Sequence, residues 1–149
     1  MKSVPSTAEV VVDASVALAF VLEERDGADA ARIRALLSNP PGRPVVAMHF
    51  DVECANGLVQ AVRRGRIAVD DAFEALLVLM DLPFERAQPS ASEVDAFRIS
   101  IETESSAYDA AYVALSDDLG VPLVTMDARL VRTLAGTAHV VRLLDDVEL

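Results

Sequence analysis

The feature that most constrains this chain is the regular alternation of short β-rich runs with longer segments of helical periodicity. Strands are predicted at Glu9–Asp13, Pro44–Met48, Leu82–Ala87, Val121–Thr125 and His139–Leu143. Helices are predicted at Ser15–Glu24, Asp26–Ser38, Phe50–Arg64, Val69–Met80, Ser90–Glu104, Tyr108–Leu119 and Ala128–Leu134. Because strands separated by helices pair in parallel, the pattern predicts an α/β fold with a central parallel sheet of about five strands and helices on both faces.

The breaks between these segments indicate one domain spanning residues 1–149. Gly65 and Gly120 each follow a predicted helix, where glycine commonly ends the helical turn, and Asn39–Gly42 (NPPG) is a clear helix breaker. The chain contains no repeat and no linker, and 149 residues is a usual length for a single domain.

Export and membrane insertion are not expected. The longest apolar run, Val10–Leu22, is interrupted by Asp13 and is too short to span a bilayer. The first ten residues, MKSVPSTAEV, lack the hydrophobic core of a signal peptide. One cysteine, Cys54, rules out an internal disulfide and fits a reducing compartment. We therefore expect a cytoplasmic protein.

The charge balance leaves the substrate open. The 13 basic and 24 acidic residues give a net charge of −11, which argues against affinity for nucleic acid through bulk electrostatics. The basic residues are nearly all arginine, so local anion-binding patches such as Arg63, Arg64 and Arg66 are compatible with this charge. If some of the acidic residues form a metal site, the bound cation would also neutralise part of this negative charge.

Acidic residues recur at element ends. Asp13 and Asp127 each follow a predicted strand, and Asp109 begins the helix that leads into the second of these strands. Each has a simple structural explanation, since Asp13 and Asp127 could cap the next helix and Ser106 with Asp109 resembles a capping box. Glu53 could be a solvated helix residue. If the fold gathers these acids at one sheet edge, however, their mutual repulsion requires a bound cation. Carboxylates are the preferred ligands of Mg²⁺ and Mn²⁺, and these ions commonly bind phosphates, so the site would act on a phosphate group.

Three motifs carry a family resemblance. The segments VVVDASV, HFDVECANGL and SSAYDAAYVALSDDLGVPLVTMDARL resemble the motifs of PIN-domain nucleases, and more closely those of the VapC-type toxins of bacterial toxin–antitoxin pairs. The resemblance covers Val10 to Leu143, nearly the whole chain, with the motifs in order. It implies a PIN-like α/β/α sandwich.

The resemblance also implies a site and a reaction. It assigns four acids to the catalytic and metal-binding site: Asp13, Glu53, Asp109 and Asp127. In the family such acids hold one or two Mg²⁺ or Mn²⁺ ions and direct water at an RNA phosphodiester. Ser15 and Thr125 match positions whose hydroxyls support the acids. Met48 departs from the pattern, because many relatives have proline there, which concerns entry into the following helix.

The partners implied by the resemblance are RNA, a cognate VapB-type antitoxin and a second copy of the chain. A homodimer is also suggested by Ser15–Leu22 (SVALAFVL), which is apolar nearly all round. The alternative is that this helix is simply buried beneath its neighbours. An antitoxin arm carrying arginine would suit a cluster of carboxylates.

Other classes of protein also place acids at the ends of strands. Receiver and haloacid-dehalogenase-like phosphotransfer domains typically need a late lysine, whereas the sole lysine here is Lys2. The better alternative is a non-catalytic PIN-fold interaction module. His49 and His139 are read as packing or surface residues, so hydrolysis should leave a 5′-phosphate and a 3′-hydroxyl. Cys54 is read as a small buried hydrophobe.

Overall fold

Five short strands form one parallel sheet in the computed structural model, which describes residues 10–22, 27–38, 43–87 and 93–147. The strands are β1 (Val11–Val12), β2 (Val45–Val46), β3 (Glu85–Arg86), β4 (Leu123–Thr125) and β5 (Val141–Leu143). Their order across the sheet is β3-β2-β1-β4-β5, and every neighbouring pair is parallel. The predicted parallel sheet of about five strands is confirmed.

Helices cover the sheet in the order that the periodicity predicts. They are α1 (Ala14–Leu22), α2 (Ala28–Ser38), α3 (Phe50–Arg63), α4 (Val69–Asp81), α5 (Glu93–Thr103), α6 (Ala107–Leu119) and α7 (Ala128–Leu134), followed by a 3-10 turn at Leu144–Asp146. The strands are shorter than predicted, because only two or three residues of each predicted run belong to the sheet. The predicted ends at Glu9, Glu24, Asp26 and Ser90 and the break at 39–42 lie outside the described residues.

The glycine signals at two helix ends are confirmed. Gly120 ends α6 in the left-handed conformation at φ +68°, and its N–H bonds to the carbonyls of Asp117 and Ser116. Gly65 follows α3 at φ +69°. L-residues with a side chain rarely adopt this conformation, so glycine ends both helices without strain.

The sheet reverses its direction of growth between β1 and β4. From β1 the chain adds β2 and then β3 on one side, and it then crosses to add β4 and β5 on the other. A parallel sheet opens a crevice at the carboxyl ends of its strands where the order reverses in this way. Asp13 follows β1 and Asp127 follows β4, so both acids lie at this crevice.

Helix α1 is covered by its own chain. None of its residues is exposed, because it packs against α2, α3, α4 and β4. Helices α1 and α3 approach so closely at Gly57 of α3 that a Cβ atom added to Gly57 would lie 2.3 Å from Leu18 Cδ1 of α1. The apolar character of Ser15–Leu22 is thus explained by burial within one chain, which was the alternative to a dimer contact.

An ion pair fixes the start of α3 against the edge of the sheet. Arg86 of β3 donates two hydrogen bonds to Asp51, at 2.8 Å and 2.7 Å to its two carboxylate oxygens. The guanidinium holds the pKa of the Asp51 carboxyl below its usual range. Paired bonds of this kind add geometric definition as well as energy. They orient the helix that carries Glu53.

In the part of the chain that the structure describes, no helix is long and apolar enough to cross a bilayer.

Candidate functional site

Asp13 is buried at the centre of the sheet edge and is held by two hydroxyl side chains. The register pairs Val12 with Val124, so the next residues, Asp13 and Thr125, lie opposite each other. Thr125 Oγ1 donates a hydrogen bond of 2.5 Å to Asp13 Oδ2. The Ser15 backbone N–H donates to Asp13 Oδ1 at 3.0 Å, and the Ser15 hydroxyl donates to the same oxygen. Both carboxylate oxygens therefore have partners.

The same hydroxyls join the ends of β1 and β4. Ser15 Oγ accepts a hydrogen bond of 2.9 Å from the Met126 N–H and lies 3.2 Å from Thr125 Oγ1. Thr125 Oγ1 accepts the Asp127 N–H at 3.0 Å. Each hydroxyl thus contacts Asp13 on one side and the backbone after β4 on the other. Ser15 and Thr125 occupy the positions that the resemblance assigned to supporting hydroxyls.

Burial makes Asp13 an unusual carboxyl. Its pKa is raised from 3.8 to about 6, first because the charged form is desolvated and also because Asp109 and Glu53 carry like charge nearby. The hydrogen bonds from Ser15 and Thr125 oppose this shift by favouring the charged form. Near neutral pH the structure therefore holds a buried negative charge in an acidic neighbourhood.

Asp109 lies in the first turn of α6 and faces the same neighbourhood. Ser106 caps this helix, because its hydroxyl accepts the Asp109 N–H at 3.0 Å, so the predicted cap is present. The pKa of the Asp109 carboxyl is also raised, first by burial and then by the charges of Glu53 and Asp127. Asp109 is therefore both part of a helix start and electrostatically coupled to the other acids.

Asp127 is a helix cap as well as a member of this group. Its Oδ1 accepts the backbone N–H groups of Arg129 and Leu130 at 2.9 Å and 3.3 Å. The side chain is exposed, unlike that of Asp13. The capping explanation and the site explanation are therefore compatible at this residue, since one oxygen caps α7 while the charge acts on Asp109.

Glu53 is accompanied by a histidine that sequence reasoning did not place at the site. His49 Nε2 lies 3.1 Å from Glu53 Oε1, in an orientation that does not make a hydrogen bond, so the contact is an ion pair only when the ring is protonated. The His49 ring also packs against Tyr112 and Tyr108, with centroids 4.7 Å and 5.7 Å apart. The one available signal was the i, i+4 spacing between His49, which directly precedes the predicted helix, and Glu53 within it.

The four carboxylates are close enough to affect one another but do not stand at ligand distances. Among the described residues, no three acidic, histidine or cysteine side chains are grouped so as to hold a metal ion. The residues present nevertheless suit a hard divalent cation. Glu53 Oε1 is a buried carboxylate oxygen without a hydrogen bond, and its neighbours Asp13 and Asp109 also offer oxygen ligands. A cation would offset the repulsion that raises the pKa of Asp13 and of Asp109.

Two clefts flank this acidic centre. The first, which we name the α3–α6 cleft, has a volume of about 360 Å³ and is lined by His49, Val52, Glu53, Asn56, Ser106, Tyr108 and Asp109. The second, named the arginine cleft, is larger, at about 690 Å³. It includes Ser15 and Asp127 together with Arg64 and Arg66. The acids thus lie between a cleft that contains arginine and one that does not.

The fold and this edge define an α/β/α protein with a carboxylate site at the switch point of a parallel sheet. Residues 10–135 match the PIN domain family. The chain is 32% identical to Ribonuclease VapC12 of Mycobacterium tuberculosis over 88% of its own length and 96% of that protein. It is 37% identical to Ribonuclease VapC9 of the same species, over 81% and 87% of the two chains. The chain belongs to the PIN domain family.

Solved structures of the same fold agree with this assignment. The crystal structure of PAE2754 from Pyrobaculum aerophilum superposes with a TM-score of 0.70 at 22% identity, covering 95% of this chain and 93% of that one. VapBC2 of Rickettsia felis, solved bound to a DNA fragment from its promoter, gives a TM-score of 0.63 at 11% identity. That match covers 90% of this chain and 97% of the other. At these identities the structures establish the fold.

Proposed function

We propose that this protein is a metal-dependent endoribonuclease that acts as the toxin of a VapBC-type toxin–antitoxin pair. Its relatives over more than four fifths of the chain are VapC ribonucleases. The observation that carries the proposal is the buried Asp13, which Thr125 and Ser15 hold at the sheet's switch point beside three further acids. Such a cluster is costly to a fold unless it serves a charged ligand.

The catalytic and metal-binding residues in this proposal are Asp13, Glu53, Asp109 and Asp127. When bound, Mg²⁺ or Mn²⁺ supplies a more acidic water and offsets the charge that develops on the attacked phosphate. Asp13 offers a carboxylate whose orientation is set by Thr125 and Ser15. Glu53 offers a buried oxygen that makes no hydrogen bond in the structure and lies 3.1 Å from His49 Nε2. The substrate's phosphodiester reaches these acids from the arginine cleft.

The antitoxin is proposed as the partner that inactivates this site. Carboxylates that attract a metal also attract arginine, whose planar fork bonds two oxygens at once. An arginine inserted among the acids would occupy the space needed by metal and phosphate. The apolar residues of the antitoxin would bind in a groove of about 270 Å³ between α3 and α4 of this chain. The groove is lined by side chains that include Leu58, Val62, Phe73 and Leu76.

The surface proposed for the homodimer contact lies on α5 and not on α1. Val94, Phe97 and Ile101 on α5 are 65%, 65% and 67% exposed. Their spacing of three and four residues places them on one face of the helix, while Ala96 and Ile99 on the opposite side are buried. An exposed apolar stripe of this kind is typical of a surface that binds another chain.

Growth of cells that express the protein tests the proposed toxin function. Expression of the wild type should slow growth, and expression of its cognate VapB-type antitoxin alongside it should restore growth. Asp109→Asn should be harmless, whereas Asp95→Asn, which changes a half-buried acid of α5 that pairs with Arg98, should remain toxic. If Asp109→Asn is as toxic as the wild type, the growth effect does not come from nuclease action. The alternative, a non-catalytic PIN-fold interaction module, predicts that result.

A further inference from the structure

The α3–α6 cleft differs chemically from the arginine cleft on the other side of the acids. Its lining contains two carboxylates, Glu53 and Asp109, and no lysine or arginine. A phosphate would therefore be repelled there in the absence of a cation, whereas an uncharged planar group would not. The arginine cleft is also lined by carboxylates, those of Asp29, Asp127 and Asp145. It differs in containing Arg64 and Arg66, which supply the positive charge that backbone phosphates need.

The walls of the α3–α6 cleft present a flat apolar surface next to the acids. Tyr108 directly precedes Asp109 on α6, and its side chain is 66% exposed although it is a large aromatic residue. The His49 ring packs beside it at a tilt of 54° and supports it from the α3 side. Val52, 74% exposed, lies three residues after His49 and therefore near it on the same helix face. Tyr108 is thus held in place yet open to a ligand.

The cleft also contains a group capable of reading the edge of a base. Asn56 follows Val52 by one helical turn and is exposed, so its amide presents both donors and an acceptor to the cleft. Unpaired nucleobases are commonly bound by stacking on an aromatic ring with hydrogen bonds to their edges. The ring, the amide and the absence of lysine and arginine from this lining all suit the same chemical group.

We infer that the α3–α6 cleft binds an unpaired nucleobase of the RNA, next to the phosphodiester that is cut. The base stacks on Tyr108, and Asn56 hydrogen-bonds its edge. This inference rests on the proposed ribonuclease function and adds where the substrate's base is held. It makes Tyr108 and Asn56 determinants of affinity and base preference, while the acids determine the rate of the chemical step.

The test uses purified protein and short single-stranded RNAs that the wild type cleaves. Tyr108→Ala should raise KM at least about fivefold, the lower end of what loss of one base stack costs, with kcat little changed. Tyr108→Phe keeps the ring and should stay within about twofold of wild type. Met48→Ala removes a side chain that is similarly exposed but does not line the cleft, and it should also leave KM unchanged.

A substrate lacking one base separates stacking from a structural effect. Replacing the nucleotides beside the cut, one at a time, with abasic residues should raise the wild-type KM at one position by a similar factor. On that RNA, Tyr108→Ala should add little further loss, because the interaction it removes is already absent. An unchanged KM for Tyr108→Ala, or an equal loss on intact and abasic RNA, would overturn the inference. A wild type that cuts no RNA in Mg²⁺ or Mn²⁺ would instead refute the ribonuclease function.

Discussion

Thr125 Oγ1 lies 2.5 Å from Asp13 Oδ2, although 112 residues separate the two along the chain. The contact follows from the parallel register of β1 and β4, which sets these residues opposite each other at the sheet's switch point. Thr125 also accepts the Asp127 N–H, so one hydroxyl connects two of the four acids.

Thr125→Val should destabilise the protein and reduce its activity. The substitution preserves shape but leaves Asp13 Oδ2 and the Asp127 N–H without their partner, at a cost of about 1–3 kcal/mol. It should also raise the pKa of Asp13 further, because the Thr125 hydrogen bond favours the charged form. Denaturant unfolding and RNA cleavage measure the two effects. Thr125→Ser keeps the hydroxyl and is the matched control; a Thr125→Val variant as stable and active as the wild type would show that these hydrogen bonds contribute nothing.

The metal-free protein should lose stability as pH rises from about 4 to 6. Burial raises the pKa of Asp13 from 3.8 to about 6 in the folded protein, so the folded state holds a proton that the unfolded state releases. Protonation of Asp13 therefore contributes about 3 kcal/mol to the free energy of unfolding. This contribution is fully present below about pH 4 and is lost as the pH rises above the folded pKa. Asp109, whose pKa is also raised, acts in the same direction.

Unfolding in EDTA at several pH values tests this dependence. Asp13→Asn should flatten the profile relative to the wild type and be the more stable protein at pH 7. Other acids have the opposite pH dependence, such as Asp51, whose pKa is lowered by Arg86. Their contributions are the same in both proteins, so they cancel in the difference between the two free energies of unfolding. Parallel profiles for the two proteins would contradict the assignment of this charge to Asp13.

Divalent metal should stabilise the wild type through these same acids. Mg²⁺ or Mn²⁺ at about 100 times its dissociation constant should add about 2.7 kcal/mol to the free energy of unfolding. Asp13→Asn and Asp109→Asn should lose most of this gain, while Asp95→Asn should keep it. The melting temperature, measured with and without metal, gives the answer. An equal gain in all four proteins would place the metal elsewhere.

His49 should act through packing and not as a proton-transfer group. Its Nε2 is buried against Glu53 and its ring packs on Tyr112 and Tyr108, so His49→Ala should cost about 1–3 kcal/mol while His49→Phe costs less. RNA fragments made by the wild type and by His49→Phe should both end in 5′-phosphate and 3′-hydroxyl groups. Cyclic phosphate ends, lost in His49→Phe, would make His49 a catalytic residue.

The sequence predicted the sheet and the position of the acids because these depend on local pattern. Asp13 and Asp127 follow apolar strands, and parallel strands bring their carboxyl ends to one edge whatever the loops do. Cys54 was likewise expected to be buried, and it is 1% exposed with the pKa of its thiol raised to about 12 by burial.

The features that sequence reasoning missed depend on contacts between distant elements. The position of His49 against Tyr108 and Tyr112 requires the packing of α3 on α6, which no periodicity reveals. The apolar run Ser15–Leu22 was ambiguous between a dimer surface and a buried helix. Its burial depends on the close approach at Gly57, a contact between two helices that local sequence does not specify.

The most direct test of the central claim is cleavage of RNA by the purified protein with defined metal. The wild type should cut single-stranded RNA in Mg²⁺ or Mn²⁺ and stop in EDTA. Asp13→Asn should lose at least about 100-fold in activity, because it removes a buried ligand charge, while Asp95→Asn should match the wild type. Cleavage that persists in EDTA, or that is equal in Asp13→Asn and the wild type, would contradict a metal-dependent ribonuclease built on these acids.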